Sequence, residues 1–174
     1  MPKKRTIERA KKDKREGKAA STQAGEFVKE TIDEMREGKI GAQSTKQAIA
    51  IGLSKARRAG VDLPPPAKGT TSEKNRKGAE RAYRAGHEHP ARPVNPKRSR
   101  AITKALQREG HEAVSQTALS RQARQQATKR TAAQRSEIGR KAARTRLAHQ
   151  PPAERKAIAR KAARTRRVHA KSSA

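Results

Sequence analysis

The side chains best suited to chemistry in this chain are cations at repeated spacing. Arg140-Lys-Ala-Ala-Arg-Thr-Arg146 returns letter for letter as Arg160-Lys-Ala-Ala-Arg-Thr-Arg166, and aligning 135–149 with 155–169 gives ten identities in fifteen positions. Guanidinium and ammonium groups at this density supply no nucleophile. They grip phosphate, Arg as a bidentate fork and Lys as a hydrated point charge. Arg140, Lys141, Arg144 and Arg146 in the first copy, and Arg160, Lys161, Arg164 and Arg166 with the adjoining Arg167 in the second, are the first candidate nucleic-acid contacts. Lys55, Arg57 and Arg58, within Ser54-Lys-Ala-Arg-Arg58, are candidates for a second patch on the same polyanion. The competing reading of that stretch is an exposed helix end balanced by its dipole.

Other chemistries find little support. With no cysteine there is no thiolate nucleophile, disulfide framework or Cys-based zinc site. His87-Glu-His89 lies in a proline-rich stretch, lacks a clear third ligand and is surrounded by cations, which opposes metal binding. His149 and His169 hold equivalent places in the repeat and suit helix-terminal caps. Glu26, Glu30, Asp33, Glu34 and Glu37 share one helical stretch with basic neighbours and read as structural charge pairs. No cofactor, metal site or catalytic residue is expected. The aromatics are one Phe and one Tyr, too few for the stacking platforms on which single-strand binders rely. Contacts to phosphate should dominate, which favours duplex binding without sequence preference and with steep salt dependence.

The elements that must position these cations are helical. Wound at about 100° per residue, each copy places its isoleucine, an alanine, its threonine and its histidine on one face (Ile138, Ala142, Thr145, His149; Ile158, Ala162, Thr165, His169). The first two cations and the second arginine of the copy fall opposite. Nothing on the apolar face is large enough to anchor a core, and like charges four apart repel, so these helices should form when phosphate neutralises them. Pro151-Pro152 separates the copies, and Pro152 suits a first helical turn.

Upstream, a recurring stop punctuates the chain: Arg15-Glu-Gly17, Arg36-Glu-Gly38, Arg58-Ala-Gly60, Arg84-Ala-Gly86 and Arg108-Glu-Gly110. Glycine at each would end a helix in the left-handed conformation. Ser21-Thr22, Ser44-Thr45 and Ser72 are start signals. Helices are predicted near 22–37, 45–59, 73–85 and 97–109. Ten of the 22 apolar residues larger than Ala lie between 27 and 63, the only stretch able to hold a core. Phe27, Val28, Ile32 and Met35 would face Ile49, Gly52, Leu53 and Ala56 across a helical hairpin. So small a hairpin needs the first helix through Ile7, a second copy or a partner. Leu63-Pro-Pro-Pro and the proline-rich segment His87–Pro96 read as linkers.

Composition agrees, with 45 Lys+Arg against 16 Asp+Glu, a net charge of +29 on 174 residues and a pI near 11.6. Residues 111–174 alone carry 17 basic and 3 acidic side chains. The fold class expected is all-α: short helices in series, a small N-terminal helical hairpin (1–63), a Pro-rich linker with a short helix (64–96), and a largely disordered or fold-on-binding basic helical arm (97–174). No apolar stretch reaches signal-peptide or transmembrane length, which implies a cytoplasmic protein without a membrane partner.

The blocks Ser21-Thr-Gln-Ala-Gly-Glu-Phe-Val, Ser44-Thr-Lys-Gln-Ala-Ile-Ala-Ile-Gly-Leu-Ser-Lys-Ala-Arg-Arg-Ala-Gly60 and Leu119-Ser-Arg-Gln-Ala, with the Lys-Ala-Ala-Arg-Thr-Arg repeats, resemble a family of small basic bacterial proteins of uncharacterised function. Its members are often labelled plasmid stabilization protein, and the tail is similar to those of histone-like nucleoid proteins. The resemblance implies a bacterial source and association with DNA, and it supplies no catalytic residue. Double-stranded DNA is the expected partner. The same charge also suits RNA in a ribosome-associated or chaperone role, and residues 20–63 could serve instead as a dimer or protein-interaction module of a partition or toxin-antitoxin system.

Overall fold

The computed structural model describes residues 2–88 and 95–172, all helix, turn or loop with no strand among them. Among the described residues eight α-helices follow in order: α1 Lys4–Arg15, α2 Ala20–Arg36, α3 Thr45–Arg58, α4 Glu73–His87, α5 Pro96–Gln107, α6 Gln116–Thr128, α7 Ala132–His149 and α8 Pro152–Ser172. A 3₁₀ turn, Glu112–Val114, precedes α6. The all-helical expectation holds. The chain divides into two compact units, Met1–Gln125 and Gln126–Ala174.

Local chemistry sets the boundaries of the first unit. Gly17, Gly38 and Gly60 have φ of 68°, 73° and 84° and close α1, α2 and α3. Each closure has the same pair of bonds: Gly17, Gly38 and Gly60 N–H donate three residues back, and the next residue's N–H donates five back, as in a Schellman motif. Ser44 and Ser72 accept from Gln47 and Asn75 N–H, capping α3 and α4 as expected. Two signals differ. Ser21 and Thr22 lie inside the first turn of α2, whose capping position is Ala19, while Gln23 Nε2 reaches back to Lys18 O at 2.9 Å. Gly86 lies inside α4 and Gly110 beyond the end of α5, and neither has positive φ. Gly86 serves close approach instead, because a Cβ there would collide with Arg57 O at the end of α3.

The α2–α3 hairpin is the centre of the unit, with α1 packed on α2 and α4 on α3. Its seam is drawn tight by Gly52, where a Cβ would stand 2.6 Å from Val28 Cα. One end of the core gathers Ala10, Ala24, Phe27, Ala56 and Val61, with Ile7 and Leu63 against it. The other gathers Met35, Ala42, Ala48 and Val114, with Ile32, Ile40 and Ile51 against it.

The first helix is therefore recruited as the small hairpin required, but the linker and the start of the arm are placed differently from the sequence reading. The helix after Pro64-Pro-Pro66 buries Ala82 against the hairpin, so 64–88 belongs to the folded unit. The arm does not begin at 97. Gly41 N–H donates to Leu106 O (2.8 Å), Ala42 N–H to Gly110 O (3.1 Å) and Thr45 Oγ1 to Ala113 O (2.6 Å), which seats Val114 in the core at 1% exposure. Proline content marked a break in composition. The hydrogen-bonding groups of the α2–α3 loop, open until 106–114 arrives, decide where the fold ends.

Candidate nucleic-acid interface

The repeats fall on α7 and α8, each copy within one continuous helix, and the interruption sits at Gln150-Pro151 with Pro152 opening α8. Thr131 begins α7 with a full capping box, its hydroxyl accepting from Gln134 N–H while Gln134 Oε1 accepts from Thr131 N–H. Every described side chain from 123 to 148 and from 151 to 166 is exposed. Ile138, Leu147 and Ile158 are about half exposed, at 49, 53 and 48%.

Arg140, Lys141, Arg144, Arg146, Arg160, Lys161, Arg164 and Arg166 all stand in solvent, and among the described residues none forms an ion pair. Arg140 donates to Ser136 Oγ at 3.1 Å. The two copies share one local detail, Thr145 Oγ1 donating to Lys141 O (3.0 Å) and Thr165 Oγ1 to Lys161 O (3.1 Å). Arg140 and Arg144, and Arg160 and Arg164, are four residues apart and share a helix face with the neighbouring lysine. Residues 126–174 hold 15 basic and 2 acidic side chains, so the field over this unit has one sign. The side chains of Arg167, His149 and His169 lie outside the described residues. His149 ends α7, whereas His169 sits within α8 rather than at its end.

The patch expected on the hairpin does not form. Arg57 is 6% exposed, with Nε donating to Leu63 O (3.0 Å) and Nη2 to Pro64 O (3.2 Å). It ties the start of the proline segment to the end of α3, and desolvation pulls its guanidinium pKa below the ordinary value. Lys55 is largely covered and pairs with Glu34 at 2.6 Å. Of the three, only Arg58 is exposed. Leu63 turns back against the core and brings its carbonyl and that of Pro64 to the end of α3, so a buried donor is required where a surface cation was expected.

The carboxylates of α2 and its C-cap are mostly paired: Glu26 with Arg9 (3.4 Å), Glu34 with Lys55 and Glu37 with Lys39, whose ammonium holds the Glu37 carboxyl below its usual range. Glu30 accepts from Lys3 N–H at 2.7 Å through Oε1 and anchors the start of α1, while its buried Oε2 has no partner among the described residues. Asp13 and Glu16 both bond Lys18 and raise its pKa. His87 stacks on Tyr83 with ring centroids 4.0 Å apart, and its Nδ1 lies 2.9 Å from Tyr83 O. His89 lies outside the described residues, and among those described no three His, Cys, Asp or Glu side chains could hold a metal together. No described helix is long and apolar enough to cross a membrane.

One set of cations was not singled out in the sequence. Lys97, Arg100, Lys104 and Arg108 follow at intervals of three, four and four on α5 and its C-cap, all exposed. That spacing, with no acid from 96 to 108, was the available signal.

The model of a family of unknown function (DUF6496) matches residues 3–67, which span α1 to α3 and the first prolines. Comparison with curated proteins and with solved structures gives no match.

Proposed function

We propose that this chain is a non-enzymatic, histone-like protein that binds duplex DNA largely without regard to sequence. It would act in the cytoplasm of a bacterium, on the nucleoid or a plasmid, in compaction or maintenance. One observation carries the reading: two copies of the same cationic heptad are displayed on exposed helices whose arginines and lysines lack counter-ions among the described residues. Nearly aromatic-free helices of this charge can meet phosphates and have little with which to read bases. Folding on binding follows from the same features. No described side chain of α7 or α8 is buried, and paired cations four residues apart disfavour the helix until phosphates sit between them.

The test is a binding titration of the full chain against duplex DNA at several salt concentrations, with circular dichroism followed in parallel. With six to ten phosphates engaged, affinity should fall by about 10³ to 10⁵ between about 50 and 200 mM salt, and helicity should rise on binding. A flat salt response overturns the reading. Structured RNA that displaces the duplex at equal nucleotide concentration would move the assignment from DNA to RNA.

A further inference from the structure

The two ends of α5 are fixed by different means. Asn95 Oδ1 accepts from Lys97 and Arg98 N–H at 3.0 and 3.2 Å, and Pro96 occupies the first turn, so the helix is capped at its start. At its other end Leu106 O and Gly110 O accept from Gly41 and Ala42 N–H, and Gln43 Nε2 donates to Glu109 Oε1 at 2.8 Å. These bonds tie α5 to the α2–α3 loop, one turn of chain from Val114 in the core.

At about 100° per residue, Lys97, Arg100, Lys104 and Arg108 fall within a sector of about 80°. At about 1.5 Å rise per residue they line about 16 Å of helix. Leu106, the one half-buried side chain of α5, lies opposite that sector. No acid interrupts the stripe, and its members form no ion pair or side-chain hydrogen bond among the described residues. By contrast, α1 and α4 carry acids among their cations, Glu8 and Asp13 in α1 and Glu73 and Glu80 in α4, and several pairs form: Arg9 with Glu26, Lys12 with Glu16, and Arg76 and Arg84 with Glu73 and Glu80. A row of cations left without internal partners on a capped, anchored helix is complementary to a row of phosphates.

We infer that the α5 stripe is a second duplex-DNA contact, carried by the folded unit and separate from the repeats on α7 and α8. The inference rests on the DNA-binding reading above. It replaces the hairpin patch that burial of Arg57 removes, and it gives one chain two phosphate-binding surfaces of different kinds. One is tied to a folded core. The other is not.

Three full-length variants test this against the unaltered chain. The first changes Lys97, Arg100, Lys104 and Arg108 to Gln. The second, a charge-matched control, changes Lys4, Lys11, Lys14 and Arg15 of α1 to Gln, also four exposed cations without an ion pair. The third changes Arg140, Lys141, Arg144, Arg160, Lys161 and Arg164 to Gln. Glutamine retains helix propensity, and circular dichroism confirms the fold. Each phosphate contact contributes about 0.9 to the slope of log affinity against log salt. The α5 variant should flatten that slope by about 3 to 4, so that it loses about 10² less affinity than the unaltered chain over a fourfold rise in salt. The α1 control should change the slope by less than about 1. Equal slopes for the α5 variant and the α1 control would overturn the α5 site while leaving DNA binding in place. A flat slope in the unaltered chain would remove the underlying reading itself. A repeat variant that still binds, with a slope near that of four contacts, is the positive result.

Discussion

Arg57 and Arg58 are adjacent, identical in type and opposite in role. Arg57 fills the angle between α3 and the proline segment and satisfies two carbonyls, while Arg58 faces solvent. Arg57→Ala leaves both acceptors without their charged donor and should lower unfolding free energy by about 2–3 kcal/mol in denaturant titration, whereas Arg58→Ala should leave it within about 0.5 kcal/mol. The sequence gives the two residues the same appearance, because the return of Leu63 and Pro64 over α3 is a tertiary event. The stops at Gly17, Gly38 and Gly60 were legible because φ and its bonding pattern are local. Tyr83 supplies a pH test at the same scale. Its hydroxyl donates to Asp62 Oδ1 at 2.7 Å, and that bond raises the phenol pKa, since ionisation would set phenolate against carboxylate. The folded value lies above the unfolded one, so the contribution is complete below about pH 10 and is lost as pH rises through the raised folded value. Denaturation midpoints should therefore fall more steeply above about pH 10 in the natural chain than in Tyr83→Phe.

The α2–α3 pair depends on small residues rather than large ones. Thr45, Ala48, Gly52 and Ala56 are buried along α3, and Phe27 and Met35 supply most of the bulk from α2. Gly52→Ala would gain about 1 kcal/mol of helix propensity but drive a methyl into Val28, and overpacking of this kind costs about 1–3 kcal/mol. Net loss of stability, or a widened hairpin at unchanged helicity, is expected from thermal unfolding and circular dichroism. Both helices of this pair were readable from apolar spacing. The docking of 106–114 was not, because a 3₁₀ turn with one buried valine carries no periodic pattern and its backbone bonds leave no trace in residue type. The candidate site divides the same way. The cationic repeats were visible as letters, whereas the inward turn of Arg57 and the pairing of Lys55 needed the neighbouring elements to be in place.

Across the whole molecule, two kinds of stability are expected in one chain. The first unit has two apolar clusters, and the second has exposed side chains on both long helices. Heating the free protein should give a cooperative loss of helicity from the first unit superposed on a gradual, non-cooperative loss from α7 and α8. Duplex DNA should sharpen and raise the second component, as any ligand of the helical state does. A single cooperative transition in the absence of DNA would contradict that division.

Val114 gives the first unit a schedule. The segment that closes the Met35 end of the core lies 78 residues after Arg36, which donates to the Val114 carbonyl. At synthesis rates of about 5–20 residues per second, that distance is about 4–16 s of translation. During those seconds the nascent chain holds an open apolar face made of Met35, Ala42 and Ala48, while its Phe27 end can already close with α1 to α3. A truncated message that stopped before codon 114 would leave that face permanently uncovered. Such a product would be a substrate for chaperones and proteases even though every residue matched by the family is present in it.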